Sequence, residues 1–289
     1  LPILLTGSAK PSEGETMHTG TGRISRVLMR PMSLFESKES TGEVSFSDIL
    51  DGKDISGVSQ LSLEDLASII VRGGWPASIE IKSDAKYRFA KEYVKSLIHE
   101  EVKKVDGIER NPEKMQNVLR SLARNISTQV SNSTIEGDVR NSFDDDISRP
   151  TLTDYLNTLE KLFVIEDVNA TNLNFRSKYA IRTKPKKYFV DPSIATAILD
   201  IKPKDLINDL NTFGLMFESL CIRDLKIYTE SFGGDITFYR DEKDFEVDAI
   251  LRTSSGKWGA IEIKLGAGYI DEAANNLLKF KDRVDIKKC

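Results

Sequence analysis

Two apolar segments near the C-terminus decide the predicted fold: FEVDAIL at residues 245–251 and WGAIEIK at residues 258–264. Each segment alternates apolar and polar residues, a pattern typical of strands with one buried face. The SSG sequence at 254–256 between them is a turn signal. A turn there predicts an antiparallel hairpin in which Ala249 pairs with Ile261.

This register divides the predicted hairpin into an apolar face and a charged face. The apolar face carries Val247, Ala249, Ile261 and Ile263. The charged face carries Glu246, Asp248, Glu262 and Lys264. Directly opposed carboxylates repel unless a cation lies between them or one of them is protonated, so Asp248 across from Glu262 favours a divalent cation such as Mg²⁺. Lys264 on the same face could orient or deprotonate an attacking water.

A third carboxylate, Glu218, lies in an apolar helical pattern, with Leu215 and Ile222 among its neighbours one turn away. Burying a lone carboxylate is costly, so we expect Glu218 to point at a polar group or a metal. The alternative is purely structural: Glu246 pairs with Lys264 across the hairpin, Asp248 is solvated, and Glu218 pairs locally.

The composition excludes several classes of protein. The 289 residues include 41 Lys and Arg against 45 Asp and Glu, so the net charge of -4 gives no overall attraction to nucleic acid or anionic lipid. Two histidines and two cysteines cannot build the usual catalytic zinc site or a disulfide framework. The cysteine usage is typical of a reducing compartment, so we expect a cytoplasmic location. No apolar stretch approaches the roughly 18 residues that span a bilayer, so we expect no membrane association.

The middle of the chain predicts a DNA-binding type of domain. Helical patterns at 112–131 and from Thr151, a loop at 132–147, and a strand at 163–168 are followed by a basic hairpin, an order typical of winged helices. The hairpin supplies six candidate phosphate contacts: Arg176, Lys178, Arg182, Lys184, Lys186 and Lys187. The polar face of the preceding helix is nearly neutral, so the domain could instead only connect its neighbours.

The helix with Glu218, followed by Glu246-Val247-Asp248 and then Ile261-Glu262-Ile263-Lys264, resembles the PD-(D/E)XK nuclease superfamily. This resemblance implies a restriction-endonuclease-like fold. It also implies metal binding by Glu218, Asp248 and Glu262, and catalysis by Asp248, Glu262 and Lys264.

Other segments extend the resemblance over nearly the whole chain to a prokaryotic family of predicted AAA+ type ATPases with a C-terminal nuclease-like domain. They are LLTGS at 4–8, GRI at 22–24, RPMSLFE at 30–36, GGWP at 73–76 and KYFVDP at 187–192. The resemblance implies that Thr6, and less directly Arg23, would sense a nucleotide phosphate in a full-length protein. No G-x-x-x-x-G-K-[ST] motif occurs in the sequence, so we expect no ATP hydrolysis by this chain.

We therefore expect an α/β protein that is the C-terminal portion of a longer ATPase. Either gene degeneration or the choice of where the sequence starts would account for the missing N-terminal part. The expected units are an ATPase remnant with lid helices at 1–110, a winged-helix-like unit at 111–200 and a restriction-endonuclease-like unit at 201–289. Within the ATPase remnant, we expect strands at 1–6 and 24–32. The expected function is Mg²⁺-dependent DNA cleavage, with ATP acting only in the full-length context. The alternative is a non-catalytic module that binds nucleic acid or protein. For either function, the expected protein contact is with a protein partner, or with a second copy by self-association, through the ATPase remnant.

Overall fold

The computed structural model describes residues 4, 6–7, 27–143, 146–171 and 183–284. The helices are α1 Phe46–Leu50, α2 Leu63–Arg72, α3 Pro76–Ile79, α4 Arg88–Ser96, α5 Val102–Lys104, α6 Pro112–Arg124, α7 Asn132–Phe143, α8 Arg149–Lys161, α9 Pro192–Ile198, α10 Pro203–Asn208, α11 Leu210–Glu230 and α12 Ile270–Arg283. The strands are β1 Ile165–Val168, β2 Lys186–Phe189, β3 Asp235–Arg240, β4 Glu246–Arg252 and β5 Trp258–Ile261. They form two antiparallel sheets, β1-β2 and β3-β4-β5. In this part of the chain, no helix is long and apolar enough to cross a membrane.

The strands expected at 1–6 and 24–32 are absent from the residues described there. Leu4 is 89% exposed, and residues 27–32 lie in no strand. Ser33 and Glu36 form an S-x-x-E capping box: Ser33 N–H donates to the Glu36 carboxylate, and Glu36 N–H donates to Ser33 Oγ. It closes a turn and starts no helix, because the chain needs an amphipathic run after the box to continue as one.

Local caps define the ends of helices in the N-terminal half. Ser62 and Asp65 form a reciprocal capping box at the start of α2, and Asn111 caps α6 with Pro112 in the first turn. A π-helical turn, Leu97–Glu101, joins α4 to α5. The apolar stripes of these helices meet in one core, so burial stabilises what the caps begin.

The segment predicted as a loop at 132–147 contains helix α7, so this prediction was wrong. The segment is mostly polar, but it contains two apolar residues one helical turn apart, Ile135 and Val139, which are fully buried. Helix α7 packs against α6 and α8. Tertiary burial of one narrow apolar stripe therefore stabilises a helix whose local helix propensity is weak.

The β1-β2 hairpin extends toward the C-terminal sheet. Beyond β1, Ala170 bridges Phe238 of β3, and Thr171 N–H donates to the Phe238 carbonyl at 2.6 Å. Tyr188 of β2 packs in the same apolar cluster as Phe238. The main core likewise runs from Ala67 to Leu220, across the predicted boundaries at 110 and 200.

The predicted register of the C-terminal hairpin is confirmed where β4 and β5 pair, from Ala249–Ile261 to Arg252–Trp258. A β-bulge in the β3-β4 pairing then places Phe238 opposite two residues, Asp248 and Ala249. Val247 consequently packs with Phe280 of α12, whereas Ala249 packs with Ile222 of α11. The single apolar face predicted for Val247 and Ala249 is therefore wrong, because a bulge rotates the strand between them.

An ion cluster, which we call the Arg223 cluster, unites three of the segments that carry the ATPase-family resemblance. Arg223 of α11 pairs with Asp191 at 2.8 Å and with Asp224 at 2.7 Å. Gly74 N–H donates to Asp191, and Leu34 N–H donates to Asp224. The RPMSLFE, GGWP and KYFVDP segments thus meet at a buried structural centre.

Candidate functional site

Asp248 lies at the bulge of β4, where the strands part. Strand β5 ends at Ile261, and the N–H of Ile263 donates to Asp248 Oδ2 at 2.8 Å. The Asp248 side chain thus accepts a hydrogen bond from the first backbone N–H group beyond Glu262. Asp248 and Glu262 therefore do not pair as strand residues, and the β4-β5 ladder ends at Ala249–Ile261. A bulge beside a functional residue is a common way to re-aim a side chain.

Lys264 lies between the two predicted catalytic carboxylates. Its Nζ is 3.1 Å from Asp248 Oδ2 and 2.9 Å from Glu262 Oε2. The side chain is 33% exposed. The structure thus brings Asp248, Glu262 and Lys264 together. The Glu246–Lys264 ion pair of the purely structural alternative does not form among the described contacts.

Asn276 of α12 holds Glu262 in place. Its amide nitrogen donates to Glu262 Oε1 at 2.6 Å and to the Glu246 carbonyl at 2.9 Å. The helix is thereby tied both to the carboxylate and to the β4 backbone. The sequence prediction missed Asn276, although the polar stripe at helical spacing along α12 was a signal that could have found it.

Burial and mutual charge set the protonation states of this group. Burial and the neighbouring Asp248 raise the pKa of Glu262. Burial opposes the charged form of Lys264, but Glu262 and Asp248 outweigh it and raise the pKa of Lys264 above its ordinary value. Lys264 is therefore an ammonium at neutral pH, which donates hydrogen bonds and orients a water but does not remove a proton from it.

Glu218 of α11 lies close to this group but has its own partners. Its Oε1 accepts hydrogen bonds from Tyr188 Oη at 2.6 Å and from Lys186 Nζ at 3.0 Å. Lys186 Nζ is also 2.6 Å from Glu246 Oε1. Burial and the nearby Asp248 charge raise the pKa of Glu218 against the opposing effect of Lys186. Glu218 thus points at a polar group, as expected, and the group is a lysine.

Two of the predicted phosphate contacts are corrected by this arrangement. Lys186 is buried between Glu218 and Glu246, and Lys187 is buried and paired with Asp167 at 2.8 Å. Successive side chains of β2 point to opposite faces, and both faces are covered, so both lysines are buried. Lys184 is exposed, as a phosphate contact requires. Arg176, Lys178 and Arg182 lie outside the described residues.

A pocket of about 470 Å³ opens beside Lys264 and Glu262. Its other walls come from one face of α12: Glu272, Asn275, Asn276 and Lys279. A volume of this size lies within the range of small-ligand sites. Two ammonium groups and two amides make most of its lining hydrogen-bond donors.

The donor set agrees with a magnesium site built on few protein ligands. Among the described residues, no group of three or more His, Cys, Asp or Glu side chains is placed to hold a metal ion. Mg²⁺ is usually bound through one or two carboxylates, with waters and substrate phosphates supplying the remaining oxygens. Asp248 and Glu262 supply two such carboxylates, and Asp248 Oδ1 accepts no hydrogen bond from the described residues.

Of the two nucleotide-sensing residues implied by the ATPase resemblance, only Thr6 lies among the described residues. Thr6 is exposed and lies in neither a helix nor a strand. Arg23 lies outside the described residues.

Two parts of the chain match known protein families. Residues 63–205 match a domain of unknown function, DUF8612, and residues 213–289 match another, DUF4143. The latter is a domain often found in AAA-ATPase-associated proteins. The second match contains Glu218, Asp248, Glu262 and Lys264. No curated protein and no solved structure matches the chain.

Proposed function

We propose that the region from α11 to α12 is a phosphodiesterase centre of the PD-(D/E)XK type that cleaves DNA with Mg²⁺. The observation that carries this proposal is the position of Lys264 Nζ, 3.1 Å from Asp248 and 2.9 Å from Glu262, at the edge of a pocket. A lysine shared by two carboxylates beside open space can serve a phosphate, whereas a closed ion pair cannot.

Each residue of this centre has a distinct task in the proposed reaction. Asp248 and Glu262 would hold the metal, which when bound would polarise the phosphate and acidify a water. Lys264 would orient the attacking water and offset the negative charge that develops on the phosphate oxygens. Asn276 keeps Glu262 aligned through its 2.6 Å hydrogen bond.

The middle of the chain would bring DNA to this centre. Helices α6, α7 and α8 followed by the β1-β2 hairpin have the element order of a winged helix. Exposed Lys184 and the arginines and lysines of the hairpin outside the described residues are the proposed phosphate contacts. The hairpin joins the C-terminal sheet through Ala170 and Phe238, so DNA on the hairpin would lie near the centre.

We further propose that ATP acts on this centre only through a larger ATPase to which the chain belongs. The match to a domain often found in AAA-ATPase-associated proteins supports that context. The chain lacks the glycine-rich loop and lysine that hold ATP phosphates, so the ATPase activity would reside elsewhere. A protein partner, or a second copy, would contact the residues before 111.

A second candidate function is a nuclease-like module that binds nucleic acid or protein without cleaving. The observation that favours it is charge compensation: Lys264 pairs with Asp248 and Glu262, and Lys186 pairs with Glu218 and Glu246. Carboxylates already neutralised by lysines have less need of a metal.

Metal binding and DNA cleavage together separate the two functions. Mg²⁺ or Mn²⁺ is titrated by calorimetry into the wild type, into Asp248→Asn and into Glu242→Gln, which removes an exposed carboxylate of the β3-β4 turn. The same proteins are incubated with supercoiled and branched DNA. We expect binding and nicking in the wild type and in Glu242→Gln, and neither in Asp248→Asn. DNA binding without metal binding or nicking in the wild type would overturn the nuclease in favour of the binding module.

A further inference from the structure

The charges around the candidate centre form two linked pairs of carboxylates with one lysine in each. Lys264 bridges Asp248 and Glu262, while Lys186 bridges Glu218 and Glu246. The two pairs are close enough for the Asp248 charge to act on Glu218. Arg240 also pairs with Glu246 at 3.1 Å, so four carboxylates face two ammonium groups and one guanidinium. The centre stays negative and attracts a cation.

The two lysines differ in what surrounds them. Lys264 is 33% exposed and faces the pocket. Lys186 is 5% exposed, and its ammonium also lies 5.6 Å from the centre of the Phe238 ring. The Lys186 ammonium is held firmly by two carboxylates and an aromatic face. If it moved away, the charges of both carboxylates would remain in the interior without this partner.

Lys186 also occupies one of the two carboxylate oxygens through which Glu218 could bind a metal. Oε1 of Glu218 accepts from both Lys186 and Tyr188, and both donors belong to strand β2. An oxygen already shared by two donors is a poor metal ligand, and the nearby ammonium repels a divalent cation. Strand β2 therefore supplies the cation that balances Glu218 and Glu246.

We propose that Lys186 is a resident cation of the candidate centre, a positioning residue that keeps Glu218 from binding a divalent metal. This inference rests on the proposed function and assigns Glu218 a different part from the metal ligand implied by the nuclease resemblance. Metal binding is thereby confined to Asp248 and Glu262. Removing the Lys186 charge frees Glu218 and makes the centre more negative, so divalent cations bind more tightly.

The test measures metal affinity directly, with no need for cleavage. Mn²⁺ is titrated by calorimetry into the wild type, Lys186→Gln, Lys186→Met and the double variant Lys186→Gln/Glu218→Gln. The glutamine variant keeps a hydrogen-bond donor beside Glu218 and protects the test if the methionine variant does not fold. Lys187→Met is the matched control, since it removes the neighbouring buried lysine of β2, whose partner is Asp167.

We expect Lys186→Gln to bind Mn²⁺ about tenfold more tightly than the wild type, a scale on which groups around metal ligands alter affinity. Lys187→Met should match the wild type, and the added Glu218→Gln change should reverse the gain. Equal or weaker binding by Lys186→Gln than by the wild type would overturn this inference alone. Binding by Lys186→Gln with none by the wild type would support it while overturning the proposed nuclease, and no binding by either would overturn both.

Discussion

The Arg223 cluster and the candidate centre are both groups of opposed charges on or beside α11, yet they differ in access. Arg223 is 2% exposed, and Asp191 and Asp224 each receive a backbone N–H in addition to the guanidinium. At the candidate centre Lys264 is partly exposed, a pocket adjoins it, and Asp248 keeps an oxygen without a described donor.

This difference separates a charge group that serves the fold from one suited to chemistry. A buried ion pair is tolerable only when all of its polar atoms are satisfied, and removing one member then leaves an uncompensated charge. A reactive centre instead needs an unsatisfied donor or acceptor to offer its substrate. Substitutions in the two groups should therefore affect different properties.

The largest expected effect is on the stability of the Arg223 cluster. Asp191→Ala should lower the free energy of unfolding by about 3–5 kcal/mol, because Arg223 would stay buried with only one of its two carboxylate partners. Urea unfolding followed by circular dichroism measures the change. Asp248→Asn is the comparison at the other group and should cost far less; equal losses in the two variants would refute the distinction.

The next effect concerns activity at the candidate centre. Lys264→Met should reduce DNA nicking by about 10²- to 10³-fold, the usual loss when one electrostatic group is removed from a transition state. Its unfolding free energy should stay near that of the wild type, since the lysine is partly solvated. Nicking rates are compared with those of Lys243→Met, an exposed lysine in the β3-β4 turn. A parallel loss in both variants would argue against a specific role.

A smaller effect is expected at the glycine that abuts the Arg223 cluster. Gly73 has φ +76°, and a Cβ there would lie 2.3 Å from Ser193 Oγ and 2.6 Å from Asp191 Oδ1. Gly73→Ala should therefore cost about 1–3 kcal/mol. Gly137→Ala in α7 is the matched control; beyond the adjacent residues and the backbone of the helix itself, no atom lies within 4 Å of its Cβ position, so it should gain about 0.5–1 kcal/mol. Thermal unfolding of both variants checks the contrast, and a neutral Gly73→Ala would contradict it.

The pH dependence of stability should have opposite signs in the two groups. Burial opposes ionisation of Asp191, but Arg223 and the hydrogen bonds from Ser193 and Gly74 outweigh it and lower its pKa below 3.8. Its stabilising contribution is complete above that ordinary value and is lost as the pH falls through the folded pKa. The pKa of Glu262 is raised above 4.5, so its contribution falls as the pH rises from 4.5 toward the folded pKa.

Unfolding free energies of the wild type, Asp191→Asn and Glu262→Gln, measured from acid to neutral pH, check these signs. Asp191→Asn should flatten the loss of stability on the acid side. Glu262→Gln should remove the loss on going upward from pH 4.5. The same direction of change in both variants would contradict the assigned shifts.

Much of the candidate centre could be predicted because its residues lie close together in sequence. Strand alternation and a short turn define which residues oppose each other, so Ala249–Ile261 pairing and the grouping of Asp248, Glu262 and Lys264 follow from residues 245–264. Residues from distant elements could not be found in this way. Lys186 reads as a surface phosphate contact in the sequence, but the docking of β2 buries it.

The sequence by itself determined the elements whose signals are local. Capping residues and apolar stripes define α2, α6 and α8, an apolar stripe alone defines α4, and the turn at 254–256 sets the β4-β5 register. Only the tertiary structure decided which charges meet. The Arg223 cluster and the Lys186 bridge join segments far apart in the chain, and no periodicity within one element records these contacts or the bulge opposite Phe238. Their free energy depends on burial, which exists only once the core has formed.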